Sequence, residues 1–388
     1  MENYIHDVPT KVYFGKGQIC HLDKSLRQFG SRVLLTYGGG SIKKMGLYGK
    51  IISILNEGGF TVTELSGIDP NPRIESVIEG VELCKKNNID VVLAVGGGST
   101  IDCSKAICVG YYYDGDLWEM VKTGTEYRKA LPLVDIITIS ATGSDFNGGG
   151  VITNLKTNEK LGARFTYPSV SILDPTYTFS VSKYQTAAGS ADIMSHIIEG
   201  YFCKVSDSFI SDGLAEVVLK TVIDNLPIAL KEPANYIARA NLMVAASLAC
   251  SRIAEYGKGT IIWPCHTMEH ELSAYYDITH GVGLAIITPK WMRFVLDKDP
   301  SVKWRFVRFA KNIWGLDGED ENELALKGID ALESFFKSCD LPSTLSEINI
   351  GTEYFKDMAE HSNMGGKMEK TFVPLTTEDI IEIYRACL

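Results

Sequence analysis

The sequence predicts a two-domain protein, an α/β domain on a parallel sheet over residues 1–180 and an all-helical domain over residues 181–388. Three observations predict it. A chain of 388 residues exceeds what one ordinary core fills. In its first half, short apolar and partly β-branched runs alternate with helical patterns, as parallel strands joined by crossover helices do. From about Ser182 onward, long helical patterns dominate and strand signals are scarce.

The elements follow in order. "VLLTY" (33–37) is an apolar strand stopped by "GGGS". "GLYGKIISILNEGG" carries apolar residues at helical spacing and stops on Gly58 and Gly59. "FTVTEL" (60–65) is a second strand, and "PRIESVIEGVELCKKNNI" an amphipathic helix with Lys85 and Lys86 where cations suit its dipole. "VVLAV" (91–95) is a buried-type strand, again followed by "GGGS", and "IITIS" (136–140) a fourth. "GGVITN" and "SVSILD" frame a polar segment around Lys160 and suggest a local antiparallel excursion. "DGLAEVVLKTVIDNLPIALK" and "ARANLMVAASLACSRIAEY" are long helices of the second half.

Composition narrows the partners. Hydrophobic residues at 45% and charged residues at 22% suit a globular protein in water. A net charge of −10 disfavours nucleic acid and anionic membrane. The chain has no apolar run long enough to span a bilayer, and "MENYIHDVPTKVYFG" lacks signal-peptide features, so a cytoplasmic protein is expected. Nine cysteines without CxxC spacing read as reduced thiols, most of them buried. Cys265 adjoins a histidine-rich segment, and as a ligand it would make a metal site softer and favour zinc.

Two glycine turns follow strands, Gly38-Gly39-Gly40-Ser41 and Gly96-Gly97-Gly98-Ser99. Glycine there lets backbone amides approach an anion at a helix N-terminus. The phosphate loop GxxxxGK[ST] is absent, which argues against a nucleoside triphosphatase. The fingerprint GxGxxG is also broken, because Ile101 takes the third glycine position. An ordinary Rossmann arrangement would put Glu64 on the adenosine ribose. The turns therefore indicate a phosphate-bearing ligand and leave a dinucleotide open.

Three of the seven histidines fall within "HTMEHELSAYYDITH", His266 to His280. Upstream, Asp192 and His196 in "GSADIMSHIIEGYF" stand at i, i+4 and share a helix face. A structural Asp–His pair accounts for that pair alone. With His266, His270 and His280 there are enough N and O donors for a first-row metal. Spacing favours His266 with His270, also i, i+4, and leaves open whether His270 or His280 is the spare. "HEL" is not HExxH, so a metalloprotease helix is not supported.

The ordered set "TKVYFGKG", "TYGGGSIKK", "DPNPR", "AVGGGSTID", "ATGSDFN", "LDPTYT", "GSADIMSH", "HTMEHEL" and "DITHG" resembles the iron-containing (group III) alcohol dehydrogenases over the whole chain. Within them it resembles the NADP-dependent butanol dehydrogenase and aldehyde reductase branch. The resemblance implies a Rossmann-like dinucleotide-binding domain, an all-helical metal-binding domain and a homodimer. It implies one divalent metal, Fe2+ or Zn2+, on Asp192, His196, His266 and His280, with His270 lining a cleft near the nicotinamide as the candidate catalytic group. It places Gly96, Gly97, Gly98 and Ser99 on the pyrophosphate, with Asp102 in the following turn. Thr138, Thr142, Ser144, Asn147 and Lys160 fall near the nicotinamide ribose, and Asn71 near the cofactor. NAD-preferring relatives carry an aspartate at the first turn. Here Gly38, Gly39 and Ser41, with Lys44 (and Lys43) just beyond, suit a 2′-phosphate, so NADP(H) is expected. The family often has Glu where this chain has Asp145. The implied reaction is reversible hydride transfer between NADPH and a small aldehyde such as butanal, giving a primary alcohol. The alternative is an NAD-linked polyol dehydrogenase of the glycerol type on the same scaffold.

Overall fold

The computed structural model describes residues 1–124 and 129–388, and these divide into two compact units. One comprises Asp7–Val181 with Pro233–Ser247. The other comprises Met1–His6, Ser182–Glu232 and Leu248–Leu388.

The first unit is organised by a parallel sheet of β1 (Lys11–Phe14), β2 (Arg32–Tyr37), β3 (Thr61–Leu65), β4 (Val91–Gly96), β5 (Leu133–Ile137) and β8 (Val170–Leu173). Their spatial order is β1-β8-β5-β4-β2-β3, with every pairing parallel. β4 is buried along its whole length, which explains its unbroken apolar sequence. The helices Ile74–Asn87 and Gly98–Gly110 pack closely through small residues. A Cβ on Gly80 would lie 2.3 Å from Ile107 Cδ1, and one on Gly110 2.7 Å from Val81 Cγ2.

The strand order reverses between β2 and β4, where Tyr37 pairs with Val95. Both glycine turns leave the carboxyl ends of these neighbours. In open parallel sheets this switch point is where ligands bind, because the diverging connections open a crevice there.

Three sequence expectations are corrected. The partner of β6 (Gly149–Asn154) in the antiparallel pair is β7 (Glu159–Arg164), in register Thr153 to Lys160. "SVSILD" supplies β8 to the main sheet instead. The strand assigned to "IITIS" starts earlier, at Leu133, and ends at Ile137. Most of the helix Tyr236–Cys250 belongs with the sheet rather than the helical unit, and its Met243 joins the core of Ile152, Phe165 and Leu173. Its apolar pattern shows burial but not the partner.

The second unit contains no strand among the described residues. Two of its helices start on sequence-visible caps: Ser182 Oγ accepts from Gln185 N, and Thr376 with Asp379 forms a capping box. No helix among the described residues is long and apolar enough to cross a membrane.

Candidate metal centre and nucleotide-binding turns

The helix Lys183–Tyr201 is buried on every face from Thr186 to Tyr201. Its acidic and imidazole side chains therefore need partners inside the protein. Asp192 and His196 come from this helix, His266 from Pro264–Tyr276, and His280 opens His280–Lys298. Asp277, in the left-handed region at φ 51°, ends the second of these helices. The chain turns there, which returns His280 to His266, with ring centroids 5.3 Å apart.

The donors converge on one atom. Asp192 Oδ1 lies 3.2 Å from His196 Nδ1, 3.6 Å from His266 Nε2 and 3.7 Å from His280 Nε2. Asp192 Oδ1 and His266 Nε2 are buried without a hydrogen-bond partner. Two orphaned buried donors aimed at a common point, in an N3O set, fit a divalent first-row cation. His196 Nδ1 lies 2.9 Å from the Asp192 carbonyl, an acceptor only, which puts the proton on Nδ1 and leaves Nε2 a lone pair.

Behind the other two imidazoles stand carboxylates that sequence reasoning missed. Glu199 faces His266 Nδ1 and also accepts from Cys265 N at 2.6 Å. Glu269 faces His280 Nδ1 and accepts from Ser273 Oγ. Both glutamate side chains are fully buried. Such contacts fix the tautomer that directs Nε2 forward and make the ring a better donor.

The electrostatics agree. Burial, the largest influence on the Asp192 carboxyl, raises its pKa, but the imidazoles of His196, His266 and His280 overcome it and hold the group below the usual carboxylate range. Burial lowers His266, and Glu199 with Asp192 outweighs that, raising it to about 9. The cluster thus attracts positive charge.

His270 is half-buried, its ring 5.6 Å from that of His280 and 6.5 Å from that of His266. Donors of Asp192, His196 and His266 lie within 4.8 Å of one another, as do those of Glu269, His270 and His280, so His280 stands between the first group and the i, i+4 partner His270. No cysteine joins either group among the described residues. The Cys265 thiol is fully buried and raised well above its ordinary value, chiefly by burial.

In the sheet unit the second glycine turn is built by steric exclusion. A Cβ on Gly96 would lie 2.5 Å from Thr100 Oγ1, on Gly97 2.6 Å from Ile139 Cγ2, and on Gly98 2.2 Å from Thr142 Oγ1. The helix Gly98–Gly110 starts without a side-chain cap, so its first amides suit an anion. Ser99 is half-buried in its first turn. Asp102 accepts from Ser144 Oγ at 2.5 Å and Val151 N at 2.8 Å, which ties this helix to the segment after β5.

Lys105, unnoticed in the sequence, donates to Asn147 Oδ1 at 3.0 Å and Gly149 O at 2.7 Å from a fully buried position. Thr142 Oγ1 accepts from Ser144 N, and Thr138 N donates to Gly96 O. Lys160 is buried on β7, and Asn71 sits in the left-handed region at φ 51°. Asp145, where the family pattern has Glu, accepts from Ser247 Oγ at 2.5 Å and so connects to the helix Tyr236–Cys250.

The first turn has space where the second has none. A Cβ on Gly39 would meet nothing within 4 Å, whereas one on Gly38 would meet Ile68 O at 3.1 Å. Ser41 and Lys44 bound the short helix that follows, and both are exposed. Glu64 accepts from Tyr37 Oη at 2.7 Å and Tyr48 Oη at 2.8 Å, with Lys43 Nζ over both rings.

A parallel sheet with glycine turns at its switch point, joined in one chain to a helical unit with a buried Asp-His cluster, defines a metal-dependent class of dehydrogenase. The chain belongs to the iron-containing alcohol dehydrogenase family and is an alcohol dehydrogenase. Residues 9–175 match the family description "Iron-containing alcohol dehydrogenase", and residues 186–388 match "Fe-containing alcohol dehydrogenase family, C-terminal". It is 49% identical to NADH-dependent butanol dehydrogenase A of Clostridium acetobutylicum, covering 99% of both chains. It is 34% identical to the NADPH-dependent aldehyde reductase YqhD of Escherichia coli, covering 90% of each. The crystal structure of NADH-dependent butanol dehydrogenase A from Thermotoga maritima superposes with a TM-score of 0.94 at 40% identity, covering 100% of this chain and 99% of that one. Membership implies a nicotinamide cofactor and a divalent metal.

Proposed function

We propose that this chain interconverts small primary alcohols and aldehydes of the butanol and butanal class, with NADP(H) as hydride carrier. Asp192, His196, His266 and His280 would hold the divalent cation. The observation that carries the reading is the orphaned Asp192 Oδ1 facing all three imidazoles. When bound, the cation supplies Lewis acidity to the carbonyl oxygen.

The remaining work belongs to the protein. Glu199 and Glu269 keep His266 and His280 in the coordinating tautomer. The Gly96–Gly98 turn receives the pyrophosphate on backbone amides. His270, half-buried beside the cluster, would exchange the alcohol proton with water.

For the 2′-phosphate the support is local. The first turn lacks a carboxylate, offers Ser41 and Lys44, and has room at Gly39. Glu64, the carboxylate that could repel the phosphate, is engaged by Tyr37 and Tyr48. NADH is the second reading, favoured by the names of relatives at 49% and 45% identity.

The test removes metal with a chelator, restores Fe2+ or Zn2+, and follows oxidation of NADPH and NADH with butanal. Metal-dependent turnover with NADPH preferred is the expected result. Turnover of glycerol with NAD but not of butanol would replace the proposal with the polyol reading.

A further inference from the structure

We propose that Trp263 is the apolar wall that sets the length of alkyl chain the metal centre accepts, and that Glu255 positions it. The inference rests on the metal site proposed above and names its substrate-selecting residue.

The indole of Trp263 stands beside two of the proposed ligands, its ring centroid 5.1 Å from that of His196 and 5.0 Å from that of His266. The protected side of the cluster is filled by the buried Pro264, Cys265 and Glu269 and by Glu199. Its accessible rim is made by the half-buried Trp263, His270 and His280. A carbonyl oxygen on the cation leaves its alkyl chain to run along that rim. Two of the three rim residues are imidazoles, so the apolar contact falls to the indole.

Trp263 is held from both ends. Its carbonyl accepts from Thr267 N at 3.0 Å and Thr267 Oγ1 at 2.7 Å. Its Nε1–H donates to Glu255 Oε1 at 3.0 Å. Glu255 Oε2 takes the guanidinium of Arg252, with Nε at 2.8 Å. Arg252 sits in the left-handed region at φ 66°, which is uncommon for a residue other than glycine. The loop carrying Glu255 is anchored below by Lys258, whose Nζ lies 2.7 Å from Asp212 with both side chains fully buried. Above, Tyr256 stacks on Tyr4 at 4.8 Å. Tyr256 is thus occupied with the N-terminal segment. A half-buried indole fixed this firmly beside metal-binding imidazoles is a wall with a defined position.

The experiment compares kcat/KM for unbranched aldehydes from propanal to octanal in wild type, Trp263→Ala, Trp263→Phe, Glu255→Ala and Glu255→Gln, with metal content measured on each. Trp263→Ala is expected to shift preference from butanal toward octanal by roughly tenfold, the scale of a methylene-sized pocket change, with metal retained. Trp263→Phe should shift it less. Glu255→Ala should relax the profile, and Glu255→Gln should restore it, because the amide oxygen still accepts from the indole. Iron titrated into the metal-free wild type should quench part of the tryptophan emission, and this part should be missing in Trp263→Phe. A parallel chain-length profile in Trp263→Ala overturns the proposal, as does loss of metal in that variant, which would make the indole a support for the ligands. If the wild type reduces no aldehyde, the functional reading fails and takes this inference with it; an active wild type with an unmoved profile sinks the inference alone.

Discussion

The helix-borne cluster and the strand-end glycine turns solve opposite problems. The cluster is made of side chains, and two of its imidazoles are aimed by other side chains: Glu199 behind His266, Glu269 behind His280. The second turn is made by side chains left out, since a Cβ at Gly96, Gly97 or Gly98 would collide with Thr100, Ile139 or Thr142. Changes in the cluster therefore alter chemistry in a preserved space. Changes in the turns alter space around a preserved backbone.

The largest effect that would break the comparison is loss of a ligand. His280→Ala is expected to leave no metal bound after dialysis, whereas His270→Ala keeps the metal and loses turnover. The opposite pattern, measured by metal analysis, would return the ligand role to the i, i+4 pair His266 and His270.

A smaller effect sharpens it. Glu199→Gln and Glu269→Gln preserve volume but remove the charge behind an imidazole. Metal affinity should fall by roughly 10- to 100-fold in chelator competition. The backbone carbonyl behind His196 would then be the only uncharged support of the three in the wild type. Unchanged affinity would mean that packing alone orients the rings.

The smallest effect tests the turns. Gly39→Asp meets open space, so it should fold, and its charge would face the expected 2′-phosphate. Repulsion of about 1–3 kcal/mol, or roughly 5- to 150-fold, should appear in kcat/KM for NADPH and much less for NADH. An unmoved ratio would show that the first turn does not face the adenosine ribose, and Glu64→Gln would become the informative variant.

The sequence displayed residue types better than it displayed surroundings. His196, His266, His270 and His280 stand out because few cores need so many imidazoles. Glu199 and Glu269 did not, because a glutamate on a helix reads as a solvent face. Only the all-round burial of the helix Lys183–Tyr201 from Thr186 onward reveals that Glu199 points inward. Spacing ranked His270 above His280 because helical periodicity stops at the left-handed Asp277, and pairing across that turn is a tertiary fact. The parallel strands were legible from apolar runs, while β7 was missed because "EKLGAR" is polar and lies half out of the core. Asp145 looked like a shortened glutamate. Its hydrogen bond to Ser247, a hundred residues on, could not be inferred from either neighbourhood.

That bond belongs to a chain path with a consequence for synthesis. The polypeptide passes from one compact unit to the other after His6, Val181, Glu232 and Ser247. The sheet cannot finish when residue 181 leaves the ribosome, because the helix bearing Met243 and Ser247 is not yet made. By the time that helix is made, the helices of Ser182–Glu232 have already emerged. Vectorial folding in two complete installments is therefore closed to this protein, and a gene cut after residue 181 would encode a sheet with an open core rather than a separable nucleotide-binding module.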